Sequence, residues 1–218
     1  MTLAVPFSPY AVAFVPVEHY ENFPVASWLL PRKLRKPIET IYAFARSADD
    51  FADEGNLSVA QRIALLDDYG TELDLIASGG HSAKPLFVDL ATEVSAHRLP
   101  LQLFRDLLSA FRQDVTTTRY QTFEEVLDYC RRSANPIGRL LLRLNGLTAP
   151  VLLEWSDAIC SALQLANHWQ DVAIDWRKNR TGRVSLPLED LMKFGLSEAD
   201  IASSNCSPAW REMMAFQC

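Results

Sequence analysis

The stretch Gln164-Leu165-Ala166-Asn167-His168-Trp169-Gln170-Asp171-Val172-Ala173-Ile174-Asp175 decides how the chain is read. As a helix it sets Leu163, Asn167, Asp171 and Asp175 four residues apart, on one line down one face. Leu165, Ala166, Val172 and Ile174 flank that line. Acids bordered by apolar residues face an interior or a cavity. An uncompensated carboxylate there is costly, so the line implies a partner of opposite charge.

Ser47-Ala48-Asp49-Asp50-Phe51-Ala52-Asp53-Glu54 repeats the arrangement. Asp49 and Asp53 continue a helical line from Ala45, at the border of an apolar face. Like charges at this spacing cost a helix a few tenths of a kcal/mol. A solvated charge run explains either cluster alone. Two of them on two helices imply shared cations. Carboxylates and an amide carbonyl are hard oxygen ligands that suit Mg²⁺, which keeps coordination sites for water and phosphate oxygens. A diphosphate is the guest this predicts. Arg46 stands before the first cluster, and Arg177, Lys178, Arg180 and Arg183 follow the second. They are candidates for a diphosphate clamp, or equally for a solvated loop that complements a helix C-terminus. Candidate cavity walls are Phe23, Tyr42, Phe44, Phe51, Tyr129, Ala134, Leu163 and Trp169. The four histidines have no ligand spacing among themselves and read as structural.

Periodicity elsewhere is helical throughout. Pro37 reads as a first-turn residue of a helix through Ile41, Phe44, Ala48 and Ala52 that Gly55 ends. Ser58 caps the next, and further helices cover about 85–97 and begin near Pro100. Thr122 with Glu125 is a capping-box pattern. Pro136 breaks the helix that carries Tyr129 and Cys130, and the longest helix covers about 150–176. No strand is evident. The expected organisation is an irregular arm over 1–17 and one all-α domain over 18–218. Net charge is −6 among 218 residues, so nothing points to a nucleic-acid partner. Four cysteines without zinc-like spacing fit a reducing compartment. No apolar run reaches the roughly 20 residues of a membrane span. The expectation is a cytoplasmic protein, with peripheral membrane association left open and no defined protein partner.

Three ordered motifs resemble those of the squalene/phytoene synthases. Tyr42-Ala43-Phe44-Ala45-Arg46-Ser47-Ala48-Asp49-Asp50-Phe51-Ala52-Asp53 is similar to their first aspartate-rich motif. Tyr129-Cys130-Arg131-Arg132-Ser133-Ala134-Asn135-Pro136-Ile137-Gly138 is similar to their Tyr-Cys segment, and Gln164 to Asp175 to their second aspartate-rich motif. The likeness runs from about His19 to the end. Within the family it is nearest the bacterial hydroxysqualene synthases. The pointers are His19-Tyr20-Glu21-Asn22-Phe23-Pro24 and Gln170, which stands where other branches usually have Arg.

The resemblance implies an all-α isoprenoid synthase bundle around a central cavity and Mg²⁺ as cofactor. The implied substrate is presqualene diphosphate, converted to hydroxysqualene with release of pyrophosphate. It implies that Asp49, Asp53, Asp171 and Asp175 hold the metal, with Asn167 in support. Tyr42 and Arg46 then act at the reacting centre, and His19, Phe23, Asp114, Tyr129, Gln164, Gln170 and Arg183 contact substrate. Two departures stand out. Ser185 occupies a position where the family usually has Tyr, and the sequence stops at Cys218, before the C-terminal helices that family members usually have. The alternatives are a head-to-head prenyl transferase making squalene, phytoene or presqualene diphosphate, and a non-catalytic member resembling mitochondrial complex I assembly factors.

Overall fold

The computed structural model describes residues 30–178, 183–204 and 206–218. Helix α1 (Arg32–Asp53) buries Leu34, Ile38, Ile41, Phe44, Ala48 and Ala52, an apolar stripe at helical spacing. It begins earlier than Pro37 suggests. Leu34 extends the buried stripe back by a turn, and that packing holds Pro37 inside the helix although it donates no hydrogen bond there. Phe44 is fully buried at the centre of the first core. It meets Tyr69 of α2 (Val59–Ala77) at 5.6 Å, Phe87 of α3 (Pro85–His97) at 6.0 Å and Phe104 of α4 (Leu101–Thr116) at 5.2 Å between ring centroids.

Acids gather at the C-terminal end of α1, where the helix dipole disfavours them. Arg62 on α2 compensates. Its guanidinium donates to the carbonyls of Phe51 at 2.8 Å, Glu54 at 2.9 Å and Gly55 at 2.9 Å, closing the end of the helix. Gly55 takes the left-handed conformation, φ +70°, that turns the chain toward α2. Ser58 then caps α2 in a reciprocal box with Gln61.

Helix α5 (Phe123–Ser133) is capped by Thr122, whose hydroxyl accepts from the Glu125 amide. Pro136 divides it from α6 (Asn135–Leu144). Helix α7 (Pro150–Lys178) lies against α6. Gly138 makes that approach possible: a Cβ there would stand 2.4 Å from Ser156 Oγ and 2.6 Å from Cys160 Sγ. Arg139 donates to Asp157 at 2.9 Å beside it, and Ser161 donates to Asn135 at 3.0 Å.

The expectation of no strand is corrected by two short ones. β1 (Arg119–Tyr120) and β2 (Val184–Pro187) pair in parallel, and all four residues of β2 are buried. The run is too short to show a period, and its partner lies more than sixty residues away in sequence. α8 (Leu188–Lys193), α9 (Glu198–Ser203) and α10 (Pro208–Gln217) complete a second core, where Trp169 and Val172 of α7 meet Val184, Leu186, Leu191 and Met213. Among the described residues no helix is long and apolar enough to cross a membrane.

Candidate active site

A cavity of about 310 Å³ opens between α1, α4, α5, α6 and α7. Tyr42, Arg46 and Asp49 reach it from α1, Tyr129 and Ser133 from α5, and Gln164 and Asn167 from α7. Ile38, Ile41, Ala45, Phe111, Ile137 and Leu141 form its apolar walls. Helical period explains this. Ile38, Tyr42, Ala45 and Asp49 recur every three or four residues, so one face of α1 passes from apolar at one end of the cavity to acidic at the other.

At the acidic end Asp49, Asp50 and Asp53 each offer an oxygen, and all three lie within 4.8 Å of one another. Arg46 pairs with Asp50 at 2.8 Å and with Asp49 at 3.5 Å. Burial, then the Asp53 and Asp114 carboxylates, push Asp49 up to about 7 against the pull of Arg46. An acid held so high beside two others is a set that a divalent cation would relieve, and its oxygens suit a hard ion. The sequence reading paired Asp49 with Asp53; the cluster adds Asp50, whose proximity follows from its place beside Asp49 on the last turns of α1.

A buried layer lies beneath the cavity. The Tyr129 hydroxyl donates to Asp114 Oδ2 at 2.7 Å, and the Arg183 guanidinium donates to Asp114 Oδ1. The same guanidinium lies 5.6 Å from the Tyr129 ring centroid. Burial raises Asp114, while Arg183 and the Tyr129 hydroxyl draw it back down. Burial also raises Tyr129, helped by the Asp114 charge. For Arg183, burial alone would lower the pKa, but Asp114 holds it well above its usual value. The β1–β2 pair carries Arg183 to this place, through a bond from the Val184 amide to the Thr118 carbonyl at 3.0 Å.

The structure brings Tyr42, Arg46, Asp49, Tyr129, Gln164 and Asn167 around one cavity. Asp171 and Asp175 are half-buried, one and two turns beyond Asn167 on α7. Asp53 and Gln170 are exposed, and neither lines the cavity. Asp114 and Arg183 belong to the buried layer, and Arg183 is committed to a carboxylate there. Arg177 is exposed and donates to Ser204. His19, Phe23 and Arg180 lie outside the described residues. Five expected wall residues are elsewhere: Phe44 and Phe51 pack in the first core and Trp169 in the second, Leu163 is 47% exposed, and Ala134 does not line the cavity. The apolar walls other than the tyrosines were missed, because an apolar face reads alike whether it meets a neighbour or a cavity. Ser185 is buried on β2, with no hydrogen-bond partner for its hydroxyl.

A helical bundle enclosing a cavity with a carboxylate cluster on one helix and an Asn-Asp-Asp line on another has the isoprenoid synthase fold. The chain belongs to the squalene/phytoene synthase family, whose profile matches residues 17–218. It is 39% identical to the hydroxysqualene synthase of Rhodopseudomonas palustris over 189 residues, covering 87% of this chain and 62% of that protein. It is 32% identical to the phytoene synthase of Arthrospira platensis, covering 93% of this chain and 68% of that protein. The squalene synthase HpnC of Alicyclobacillus acidocaldarius superposes with a TM-score of 0.79 at 36% identity, covering 91% of this chain and 73% of that one. The chain thus spans about 62% of the length of the hydroxysqualene synthase it matches.

Proposed function

We propose that this chain carries the diphosphate-ionising site of a synthase that converts presqualene diphosphate to hydroxysqualene. The observation that carries the reading is the cavity that Tyr42, Arg46 and Asp49 on α1 share with Gln164 and Asn167 on α7. Asp49 and Asp53, with Asn167, Asp171 and Asp175, would hold Mg²⁺; Asp50 stands within reach of the first group. Bound there, the metal supplies charge neutralisation for the departing diphosphate. Arg46 sits beside the acids with a guanidinium suited to phosphate oxygens. The apolar walls exclude water from the chain of the substrate. The aromatic face of Tyr129 favours positive charge on carbon. In the reaction the C–O bond breaks with its electron pair leaving on pyrophosphate. The cyclopropylcarbinyl cation rearranges, water adds to it, and the proton lost from that water passes to solvent or to pyrophosphate. The likeness to the hydroxysqualene synthases, with Gln170, supports this product.

A head-to-head condensation of two prenyl diphosphates is the second reading, favoured by the likeness to phytoene synthase. Incubation of the chain with Mg²⁺ and either presqualene or farnesyl diphosphate, with product identification by mass spectrometry, separates them. Hydroxysqualene from the former is expected. Presqualene diphosphate from farnesyl diphosphate, squalene when NADPH is added as hydride donor, or phytoene when the C20 geranylgeranyl diphosphate is supplied instead, selects the second reading. No pyrophosphate from any of these substrates overturns both.

A further inference from the structure

His168 is buried on α7 beside the Tyr129 ring, and the function above gives it no task. Its Nε2 lies 3.0 Å from the side-chain amide nitrogen of Gln164, one turn earlier. With Gln164 oriented in this way its amide nitrogen donates, Nε2 accepts, and the imidazole proton sits on Nδ1. Nδ1 is buried and has no hydrogen-bond partner. An unpaired buried donor costs the folded state the desolvation of its polar hydrogen with no bond in return. Leucine or phenylalanine would fill the same space without that cost, so packing does not explain an imidazole here. What it provides is the bond to Gln164. We infer that His168 is a positioning residue: it holds the Gln164 amide nitrogen away from the cavity and so turns the Gln164 carbonyl oxygen toward it. Gln164 lines the cavity with Tyr129, whose ring lies 5.5 Å from the imidazole between centroids. A fixed carbonyl dipole at that wall stabilises positive charge developing on substrate carbon as the C–O bond breaks. The catalytic part of the inference rests on the ionising role proposed for the cavity; the orientation of Gln164 does not.

Long-range ¹H–¹⁵N spectra of the full chain, free of ligand, test the orientation. The Nδ1–H tautomer is expected for His168, and the Gln164 side-chain amide resonances should move in His168→Leu and return toward their original position in His168→Gln, whose Oε1 also accepts. An Nε2–H tautomer, or Gln164 resonances unchanged in His168→Leu, overturns the inference. The kinetic counterpart is pyrophosphate release from presqualene diphosphate. His168→Leu should lower kcat about tenfold, in line with the loss of one oriented hydrogen bond, with KM within about twofold. His168→Gln should recover most of the rate. Equal loss in both variants makes His168 mere packing and overturns the role. If the unmodified chain releases no pyrophosphate, the proposed function falls while the spectra still decide the orientation of Gln164.

Discussion

Helices α1 and α7 each carry a line of acids, but the two lines are supported differently. α1 lies in a closed core, with Phe44 ringed by aromatic residues of α2, α3 and α4. α7 packs against α5, α6, β2 and α9 but keeps part of its surface open. Gly138 seats it on α6, and Trp169 and Val172 join the second core. The line of four-residue spacing that leads to Asn167 exposes Val151, Trp155, Ile159 and Leu163. The acids of α1 are therefore placed by packing on most sides, and those of α7 by a few close contacts. A site assembled between such helices should respond differently to damage at each.

The largest contrast is in stability. Phe44→Ala should destabilise the chain by about 3–5 kcal/mol, because it leaves a void at the meeting point of four helices. Trp155→Ser, on the exposed side of α7, should stay within about 0.5 kcal/mol. Urea unfolding of both variants checks this, and equal losses would mean that the two helices are supported alike.

Next come the acids themselves. Asp49→Asn on α1 and Asp171→Asn on α7 should each reduce Mg²⁺-dependent pyrophosphate release by about 10²–10³-fold, the usual result of removing one group that stabilises developing charge. The helices should stay folded by circular dichroism. If both faces serve one metal-diphosphate assembly, the double variant should be little worse than either single one, since members of a unit are not additive. Fully multiplicative losses would separate the two faces into independent sites. Near-normal turnover in Asp171→Asn would remove α7 from the metal site.

Gly138→Ala probes how α7 is placed. The added Cβ collides with Ser156 and Cys160, so α7 must shift or the side chains must turn. Overpacking of this kind costs about 1–3 kcal/mol. The expected signature is a loss of Mg²⁺-dependent binding of farnesyl thiodiphosphate, because Gln164 and Asn167 move relative to Tyr42 and Asp49. Isothermal titration calorimetry measures it. Unchanged affinity would show that the cavity does not depend on that seat.

The same difference in support explains what the sequence revealed. Asp49, Arg46 and Tyr42 were legible because α1 is long and strictly periodic, and Asn167 because α7 is too; Gln164 was reached only through the family likeness. Ser58–Gln61 and Thr122–Glu125 announced their caps because capping chemistry is local. The Asp114–Arg183 pair spans 69 residues and depends on two short strands with no periodic signature, so residue patterns alone left Asp114 unassigned; only the family likeness pointed to it. Phe44, Phe51, Ala134, Leu163 and Trp169, none of which lines the cavity, were misplaced for a related reason. Apolar spacing marks a face without saying whether a neighbouring helix, a cavity or solvent meets it. Pro37 marked a helix, but the packing of Leu34 decided where that helix starts.

The smallest effect expected is the pH response of the α1 acids without metal. Asp49 has a folded pKa of about 7 against an ordinary 3.8, so the folded chain binds the extra proton between those values. Stability from this group is therefore greatest below about pH 4 and is lost as pH rises through 7. Its side chain keeps 38% of its surface exposed, so water screens the charge and the loss is about 1 kcal/mol, well short of the full shift. Asp49→Asn removes the ionisation. In chelator-treated protein the Asn variant should match wild type near pH 4 and be about 1 kcal/mol more stable at pH 8. Mg²⁺ should reverse that order at pH 8, because the ion stabilises the ionised carboxylate and has weaker hold on the amide. If wild type is the more stable of the two at pH 8 without metal, Arg46 alone neutralises the cluster, and the acids of α1 need no cation to sit where they do.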